Sequence, residues 1–308
     1  MARRKSGDAV NGWLILDKPL EVTSTQAVSR VRRLTNARKA GHGGTLDPLA
    51  SGVLPIALGE ATKTVGYVME GTKRYRFTLR WGQATSTDDA EGAVVEESAQ
   101  RPRAAEVAAV LPGFRGEIEQ IPPTFSAVKI DGQRAYDLAR GDEAVALQPR
   151  RVRIDRLDLT DEPDGDHATF EVTCGKGAYM RALARDLGRA LGSCAHVVAL
   201  RRTAVGPFRE DMAIPLERLE ALGQCPELME HLLPIETALD DIPAFALSEV
   251  EARRLRCGQT VSLMARVHRD RLRDLSQGSI VCATNAGKLV ALARYEAGEV
   301  HPVRVINQ

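Results

Sequence analysis

Residues 41–52 read GHGGTLDPLASG, a stretch with four glycines and one aspartate that neither a continuous helix nor a continuous strand would tolerate. Pro48 disfavours the helical conformation for Asp47, and glycines allow a backbone to approach a ligand closely. We therefore predict a loop that presents Asp47 directly after a basic segment. The residues alone leave two interpretations open: a carboxylate that meets a bound polyanion, or an ordinary Asp-Pro turn.

The segment before this loop is predicted to form a strand and then a basic helix. Trp13–Leu16 (WLIL) is a short apolar run, which favours a buried strand. Thr23 and Gln26 have the T-x-x-Q spacing of a capping box, a motif that bonds the backbone at the start of a helix. The helix that follows has apolar residues on one face and is crowded with arginines elsewhere.

Two segments after the loop carry further candidate residues. Lys73–Arg80 alternates apolar and basic residues, which predicts a half-buried strand with Tyr75 on its apolar face. Ala178–Leu191 has the apolar spacing of a helix, with Arg181 in its first turn and arginines every four residues along another face. Tyr75 is either a stacking or acid–base residue or a core side chain. Arg181 is either an anion ligand or a surface residue.

The C-terminal part of the chain is predicted to be a small β-rich module that begins near residue 245. Short segments separated by Gly, Asn and Pro favour strands at Thr260–Leu263, Ser279–Ala283, Leu289–Arg294 and Val303–Ile306. Earlier in the chain, residues 121–153 are rich in Pro, Gly and charge, which is typical of a long, partly exposed excursion.

The charges are segregated along the chain, although the formal net charge is only +1. Residues 1–40 contain nine basic and three acidic residues, residues 215–251 contain nine acidic residues and one arginine, and residues 252–274 contain seven basic and two acidic residues. This distribution favours a basic surface for a polyanion beside an acidic surface.

Several classes of site are not indicated. The sequence has no G-x-x-x-x-G-K-[ST] motif, so nucleoside-triphosphate chemistry is not indicated, and its six histidines are isolated, which disfavours a zinc site. Asp88-Asp89-Ala90-Glu91-Gly92 lacks the spacing of a calcium loop and is predicted to be a solvated hairpin turn. Five scattered cysteines, no apolar run that could span a bilayer and no secretory signal predict a cytoplasmic protein.

Taken together, the motifs resemble those of the TruB family of pseudouridine synthases. The runs GHGGTLDPLASGVLPIALGEATK (Gly41–Lys63), KRYR (Lys73–Arg76) and CGKGAYMRALARDLG (Cys174–Gly188) occur in the order of the three signature regions of that family. The likeness is close over residues 10–210 and extends to IPPTFSAVKIDGQRAYDLAR and HVVALRRTAVGPF. The C-terminal module is similar, more loosely, to the PUA-like domain of bacterial members.

This resemblance implies the fold and its division into domains. The expected class is α+β, with a mixed, mostly antiparallel sheet flanked by helices and loops, and a small C-terminal β-rich PUA-like domain. The expected domains are residues 1–244, a pseudouridine synthase catalytic domain, and residues 245–308, a PUA-like RNA-binding domain. Residues 121–153 resemble the flexible loop that closes over RNA in the family, and we call them the thumb-like segment.

The resemblance also implies the reaction: isomerisation of uridine 55 in the T loop of tRNA to pseudouridine, with no cofactor or metal. The N-glycosidic bond at C1′ is cleaved and the base is rejoined through C5. Asp47 occupies the position of the essential aspartate, a nucleophile that is ionised at neutral pH and attacks either C1′ or the base. Tyr75 is expected to stack on the uracil and is the candidate acceptor of the C5 proton. Arg181 is expected to pair with Asp47.

Four further residues are expected to contribute to substrate binding. Tyr179 and Leu200 lie at positions that line the base pocket in the family, and His42 lies where the family fills the gap left by a flipped nucleotide. Asp89 is expected near Arg181, where it would share the charge of the guanidinium. These roles suit an enzyme that must extrude a loop base and offer it a stacking surface.

One residue departs from the family pattern. Members usually carry Gly two residues after the Lys-Pro pair, where this chain has Glu21. A turn position that requires positive φ would strain a glutamate, so we expect a slightly different local backbone there.

The expected partner is tRNA, bound through its T stem-loop by a monomer that needs neither an obligate protein partner nor a membrane. Phosphate contacts are expected from the helix after Thr23, the arginine face of Ala178–Leu191 and residues 252–274. Three alternatives to the tRNA isomerase function are a tRNA-binding or folding chaperone, guide-dependent pseudouridylation of ribosomal RNA, and a nucleoside hydrolase. The complete set of Asp47, Tyr75 and Arg181 argues against a chaperone with a decayed catalytic loop.

Overall fold

The computed structural model describes residues 7–125, 147–263 and 275–307, together with the short strands Lys129–Ile130 and Gln133–Arg134. The prediction for residues 264–274 and most of that for the thumb-like segment lie outside these described residues. Within the described ranges, no helix combines the length and the apolar character that a membrane crossing requires.

The described strands and helices follow one another in a mixed order. The strands are β1 Gly12–Lys18, β2 Ala40–His42, β3 Ala50–Leu58, β4 Lys73–Trp81, β5 Gln83–Thr85, β6 Val94–Glu97, β7 Gly116–Gln120, β8 Lys129–Ile130, β9 Gln133–Arg134, β10 Arg150–Asp164, β11 His167–Cys174, β12 Ala195–Val205, β13 Phe208–Arg209, β14 Ile214–Pro215, β15 Leu232–Leu233, β16 Ala244–Ala246, β17 Val261–Ser262, β18 Ile280–Asn285, β19 Lys288–Glu296 and β20 Glu299–Val305. The α-helices are α1 Ser24–Thr35, α2 Val65–Glu70, α3 Ala104–Val110, α4 Met180–Ala190, α5 Leu216–Leu222, α6 Pro226–Met229 and α7 Glu249–Arg256.

Eleven of the described strands form the main sheet. Its order is β14-β1-β3-β12-β4-β11-β10-β7, with β13 paired to β12, β15 to β1 and β2 to β3. Among these pairs, β1–β14 and β3–β12 are parallel, whereas the others are antiparallel. The predicted α+β class with a mixed, mostly antiparallel sheet is therefore confirmed. Because β12 lies between β3 and β4, it brings the strand that follows Asp47 close to the strand that carries Tyr75.

Apolar side chains on both faces of this sheet form the core. Leu183 and Leu187 of α4 pack in one cluster with Phe77 and Phe170, whose rings stack with their centroids 5.3 Å apart. Val31 of α1 belongs to a second cluster with apolar residues of β1 and β3. Each fully buried side chain of this kind stabilises the fold by about 1.5–3 kcal/mol, so the two helices are firmly fixed on the sheet.

The predicted elements are present, with changes at their ends. The capping box of α1 is confirmed: Gln26 N donates to Thr23 Oγ1 at 3.1 Å, and Thr23 N donates to Gln26 Oε1 at 2.9 Å. The helix predicted at Ala178–Leu191 begins only at Met180, because Tyr179 is extended. The loop predicted over residues 41–52 is shorter, since β2 and β3 reach into it. We call residues 43–49 the Asp47 loop.

The strands predicted in the C-terminal module are all present and form a second sheet of five strands, ordered β16-β18-β19-β20-β17. Two hydrogen bonds tie the end of this module to the main sheet region. Lys63 Nζ donates to the Val305 carbonyl oxygen at 2.7 Å, and Asn307 N donates to Glu60 Oε2 at 2.8 Å. The module is therefore anchored to the segment that follows β3.

Glu21 lies in the turn between β1 and α1 with a φ of 64°, so the turn keeps a positive φ at this position and the expected change of backbone is not found there. Its backbone N–H donates to the carbonyl oxygen of Pro48 at 2.9 Å, which ties this turn to the Asp47 loop. The left-handed region costs a residue with a Cβ about 1–2 kcal/mol, whereas glycine adopts it freely.

Replacing Glu21 by glycine should stabilise the protein slightly. We expect Glu21→Gly to raise the free energy of unfolding by about 0.5 kcal/mol, because relief of the strain exceeds the added flexibility of the unfolded chain. Urea denaturation measures this change. Glu21→Ala, which keeps a Cβ, should leave the stability unchanged; a glycine variant less stable than the alanine variant would contradict the strain.

Candidate active site

The Asp47 loop is held in place by the first turn of α1. The buried Ser24 hydroxyl donates to the Leu46 carbonyl oxygen at 3.0 Å and accepts from Leu46 N at 2.8 Å. Ala50 N donates to the Asp47 carbonyl oxygen at 3.0 Å, which closes the turn at the start of β3. The carboxylate of Asp47 remains 43% exposed, so the loop is fixed while its acidic group faces solvent.

Arg181 joins the two carboxylates that the sequence placed near it. Its Nη2 lies 2.9 Å from Asp47 Oδ2, and its Nη1 lies 3.3 Å from Asp89 Oδ2. Only 7% of the Arg181 side chain is exposed, so the interpretation as a surface arginine is wrong. The predicted proximity of Arg181 to both aspartates is confirmed. A buried guanidinium with two such partners holds each carboxylate in one orientation.

The turn at Asp88 and Asp89 differs from its prediction, because both acidic side chains are largely buried. Asp89 Oδ1 accepts from Glu91 N at 3.0 Å and also from the Thr87 hydroxyl. Asp88 Oδ2 pairs with Arg185 Nη1 at 3.0 Å. Burial raises the pKa of the Asp88 carboxyl, and the adjacent Arg185 guanidinium opposes this shift. The turn is therefore an internal acidic support for two arginines rather than a solvated hairpin.

The arginine face predicted on α4 is consequently not a free basic surface. Arg181 and Arg185 are engaged by aspartates, and of the three arginines only Arg189 has a mainly exposed side chain. The same two side chains also reach the start of the thumb-like segment. Arg181 Nη2 donates to the Phe125 carbonyl oxygen at 2.9 Å, and Arg185 Nη2 donates to that of Ile121 at 2.8 Å. The start of this segment is therefore hydrogen-bonded directly to Arg181, which also pairs with Asp47.

Tyr75, Tyr179 and Leu200 line one cavity of about 270 Å³ together with Asp47 and Arg181. Tyr75 is half-buried on β4, and Leu200 on β12 pairs with the neighbouring strand positions Phe77 and Ala50. Burial raises the pKa of the Tyr75 hydroxyl, and Arg202 beside it opposes this shift. The phenol is therefore protonated at neutral pH, and its ring forms one wall of the cavity.

Gln120 fixes the backbone of Tyr179 and was not identified from the sequence. Tyr179 N donates to Gln120 Oε1 at 3.0 Å, and Gln120 Nε2 donates to the Tyr179 carbonyl oxygen at 3.3 Å. Gln120 is 2% exposed and ends β7, just before the thumb-like segment. The sequence carries no signal that marks Gln120, because its burial follows from the pairing of β7 with β10.

His42 lies on β2, directly before the Asp47 loop, and is not among the residues that line the cavity. Gly44 N donates to His42 Nδ1 at 3.4 Å, so this nitrogen is an acceptor. Burial, and to a lesser extent the charge of Arg202, lowers the pKa of His42. The imidazole is therefore neutral at physiological pH.

Three buried basic residues around the site were missed by sequence reasoning: Lys18, Lys73 and Arg202. Lys18 Nζ donates to carbonyl oxygens of Pro19 at 2.8 Å and Val22 at 2.7 Å, and Lys73 Nζ donates to those of Met69 and Gly71. Burial lowers the pKa of each lysine to about 8. Lys18 ends β1 and Lys73 begins β4, positions at which a lysine is usually solvated.

Comparisons with known proteins identify the family of the chain. A model described as the TruB family pseudouridylate synthase N-terminal domain matches residues 32–180, and one described as the tRNA pseudouridylate synthase B C-terminal domain matches residues 181–240. The chain is 56% identical over 307 residues to tRNA pseudouridine synthase B of Rhodospirillum rubrum, with 100% of both chains covered. It is 55% identical to the protein of the same name from Caulobacter vibrioides, with 100% of this chain and 99% of that protein covered.

Solved structures share the fold at lower identity. An H/ACA RNP bound to a substrate RNA containing 2'-deoxyuridine superposes with a TM-score of 0.73 and 23% identity, over 100% of this chain and 92% of that one. The archaeal box H/ACA sRNP Nop10-Cbf5 complex gives a TM-score of 0.71 and 24% identity, over 99% and 92% of the two chains. At this identity the comparison establishes the fold alone.

Proposed function

The chain belongs to the TruB family of pseudouridine synthases, and we propose that it acts on uridine 55 of the T loop of tRNA with Asp47 as its nucleophile. The activity itself is that of the family: an isomerase that converts uridine in tRNA to pseudouridine. The observation that carries the proposal is the Asp47 carboxylate, held 2.9 Å from Arg181 at the edge of a cavity that Tyr75 lines.

The isomerisation breaks the bond between C1′ and N1, forms a bond between C1′ and C5, and removes the proton from C5. No atom enters or leaves overall, since that proton is balanced by one gained at N1. A nucleophile divides this difficult exchange into easier steps by holding one fragment covalently while the base rotates. Asp47 suits this role because its carboxylate is partly exposed and directed by Arg181. It attacks either C1′ or the base.

We assign stacking on the uracil to Tyr75 and the lining of the base pocket to Tyr179 and Leu200. Aromatic stacking offsets part of the free energy that is needed to extrude a base from the T loop. The protonated Tyr75 hydroxyl can accept the C5 proton only if it passes its own proton on, and the Arg202 charge beside it favours that loss. His42, just before the loop, is proposed to occupy the space left by the flipped nucleotide.

Arg181 and Asp89 are proposed to position Asp47 during the reaction. The guanidinium keeps the attacking carboxylate in one rotamer, while Asp89 balances the second half of its charge. Because Arg181 also holds the Phe125 carbonyl oxygen, the thumb-like segment and the nucleophile share one anchor. RNA that contacts this segment would then be held at a fixed position relative to the active site.

The RNA is proposed to be the T stem-loop, bound by a monomer without an obligate protein partner. Exposed arginines in the last turn of α1 and just beyond it, among them Arg32, Arg33 and Arg38, offer phosphate contacts. We further propose that residues 1–244 are the catalytic domain and that residues 245–308 are a PUA-like RNA-binding domain. The high identity to proteins named tRNA pseudouridine synthase B, over their full lengths, favours tRNA over guide-dependent action on ribosomal RNA.

The choice of nucleotide is tested by mapping pseudouridine in an unmodified tRNA transcript after incubation with the protein. We expect modification at uridine 55 alone, both in whole tRNA and in an isolated T stem-loop, because a folded RNA loop is recognised mainly by its shape. A transcript with cytidine at position 55 and a ribosomal RNA fragment serve as controls. Modification at another uridine, or of the ribosomal fragment at a similar rate, would contradict the proposal.

A further inference from the structure

Arg202 is a buried arginine at the centre of the main sheet, and it is one of the residues that line the active-site cavity. It lies on β12, paired on one side with Gly52 of β3 and on the other with Tyr75 of β4. The residue is only 1% exposed to solvent. The contact with β3 is unusually close, since a Cβ at Gly52, where φ is 100°, would lie 2.3 Å from the Arg202 carbonyl oxygen.

The guanidinium of Arg202 donates to three backbone carbonyl oxygens from two segments of chain. Nη2 lies 3.0 Å from the oxygen of Gly44, Nη1 lies 3.2 Å from that of Thr45, and Nε lies 2.8 Å from that of Val53. The first two acceptors precede Asp47 in the loop, and the third follows it in β3. One side chain thus bonds the first half of the Asp47 loop to the strand that follows the loop.

No ion pair among the described residues includes Arg202, in contrast to Arg181 and Arg201. Burying a cation without a carboxylate partner costs free energy. We therefore expect the positive charge of Arg202 to have a role that a neutral side chain would not fill. Its charge acts on the surrounding groups: it contributes to the lowered pKa of His42 and opposes the raised pKa of Tyr75. Arginine is also the side chain whose planar fork can reach several carbonyls at once.

We propose that Arg202 is a positioning residue for the isomerisation, which sets the Asp47 carboxylate against the ring of Tyr75. The inference rests on the proposed roles of these two residues. Arg181 pairs with the carboxylate directly, whereas Arg202 bonds the loop backbone that carries the carboxylate and pairs with Tyr75 on the neighbouring strand. Displacing a reacting group by about 1 Å can cost 100-fold in rate, so loss of this fork should slow the chemical step rather than weaken RNA binding.

The test compares Arg202→Lys, Arg202→Gln and Arg201→Lys. Lysine keeps the positive charge but lacks the planar guanidinium, and glutamine keeps a hydrogen-bond donor but lacks the charge. Arg201 is the adjacent residue of the same strand, but it pairs with Asp17 and Glu210 away from the cavity. Single-turnover rates on tRNA, dissociation constants for tRNA and melting temperatures are measured for each variant and for the wild type.

We expect both Arg202 variants to lose about 100-fold in single-turnover rate while binding tRNA within about threefold of the wild type. Arg201→Lys should stay within about threefold in both quantities. The positioning role would be overturned if Arg202→Lys reacted as fast as Arg201→Lys, or if the variants lost affinity for tRNA rather than rate. It would also be overturned if the rate recovered fully once the variant was kept below its melting range. An inactive wild type would instead overturn the proposed function.

Discussion

Asp47→Asn is expected to abolish pseudouridine formation, with a loss of about 10⁴-fold or more in single-turnover rate, because removing a nucleophile has effects of this size in other enzymes. Asparagine has the same shape and can still accept from Arg181, which retains Asp89 as a partner. The fold should therefore be preserved. Binding of tRNA should remain within about threefold, since a negative charge is removed from an RNA-binding surface.

The comparison variant for this experiment is Asp211→Asn, which changes an exposed carboxylate in the 3-10 helix Glu210–Met212. Its rate and affinity should equal those of the wild type. If Asp47→Asn lost tRNA binding and thermal stability along with activity, Asp47 would be a structural residue of the loop. If it kept more than about one hundredth of the wild-type rate, the nucleophilic role would fail.

Arg181→Met should produce the second large effect, on both stability and rate. It leaves Asp47 and the buried Asp89 without their cation, and breaking such a pair costs about 3 kcal/mol, with Asp47 contributing less because it is 43% exposed. The rate should fall about 10³-fold, because the carboxylate loses its orientation. Urea denaturation measures the first change and single-turnover kinetics the second.

Arg185→Met provides the matched comparison, one turn further along α4. Arg185 is similarly buried and pairs with Asp88, so its loss should cost a similar amount of stability. Its effect on the rate should remain within about tenfold, since it does not contact Asp47. Equal losses of rate in the two variants, at temperatures where both are folded, would mean that Arg181 acts only through the stability of α4.

Much of the fold could be predicted because its signals are local. The Thr23–Gln26 capping box, the alternation in Lys73–Arg80 and the apolar run Trp13–Leu16 each depend on neighbouring residues, and each element is present. The sequence did not indicate how far β2 and β3 extend into the glycine-rich stretch. The pairing of β2 with β3 sets the end of β2, and the pairing of β3 with β1 and β12 sets the start of β3; the residues of β12 lie far away in the chain.

The environment of the basic residues could not be predicted in the same way. Arginines spaced by four on a helix usually form a solvated face, and only the packing of the Asp88–Asp89 turn against α4 reverses that expectation. Arg201 and Arg202 illustrate a signal that could have been used. Neighbouring residues of a strand point to opposite faces, so one member of this pair had to face inwards if β12 was central.

Release of tritium from C5-labelled uridine in an unmodified tRNA transcript, with the wild-type protein beside Asp47→Asn, tests the nucleophile and the reaction together. Formation of the bond between C1′ and C5 expels the C5 proton, so each modified tRNA should release one equivalent of tritium. We predict release from the wild type and none above background from the variant, although both bind tRNA. No release from the wild type, or equal release from the two proteins, would contradict catalysis by Asp47.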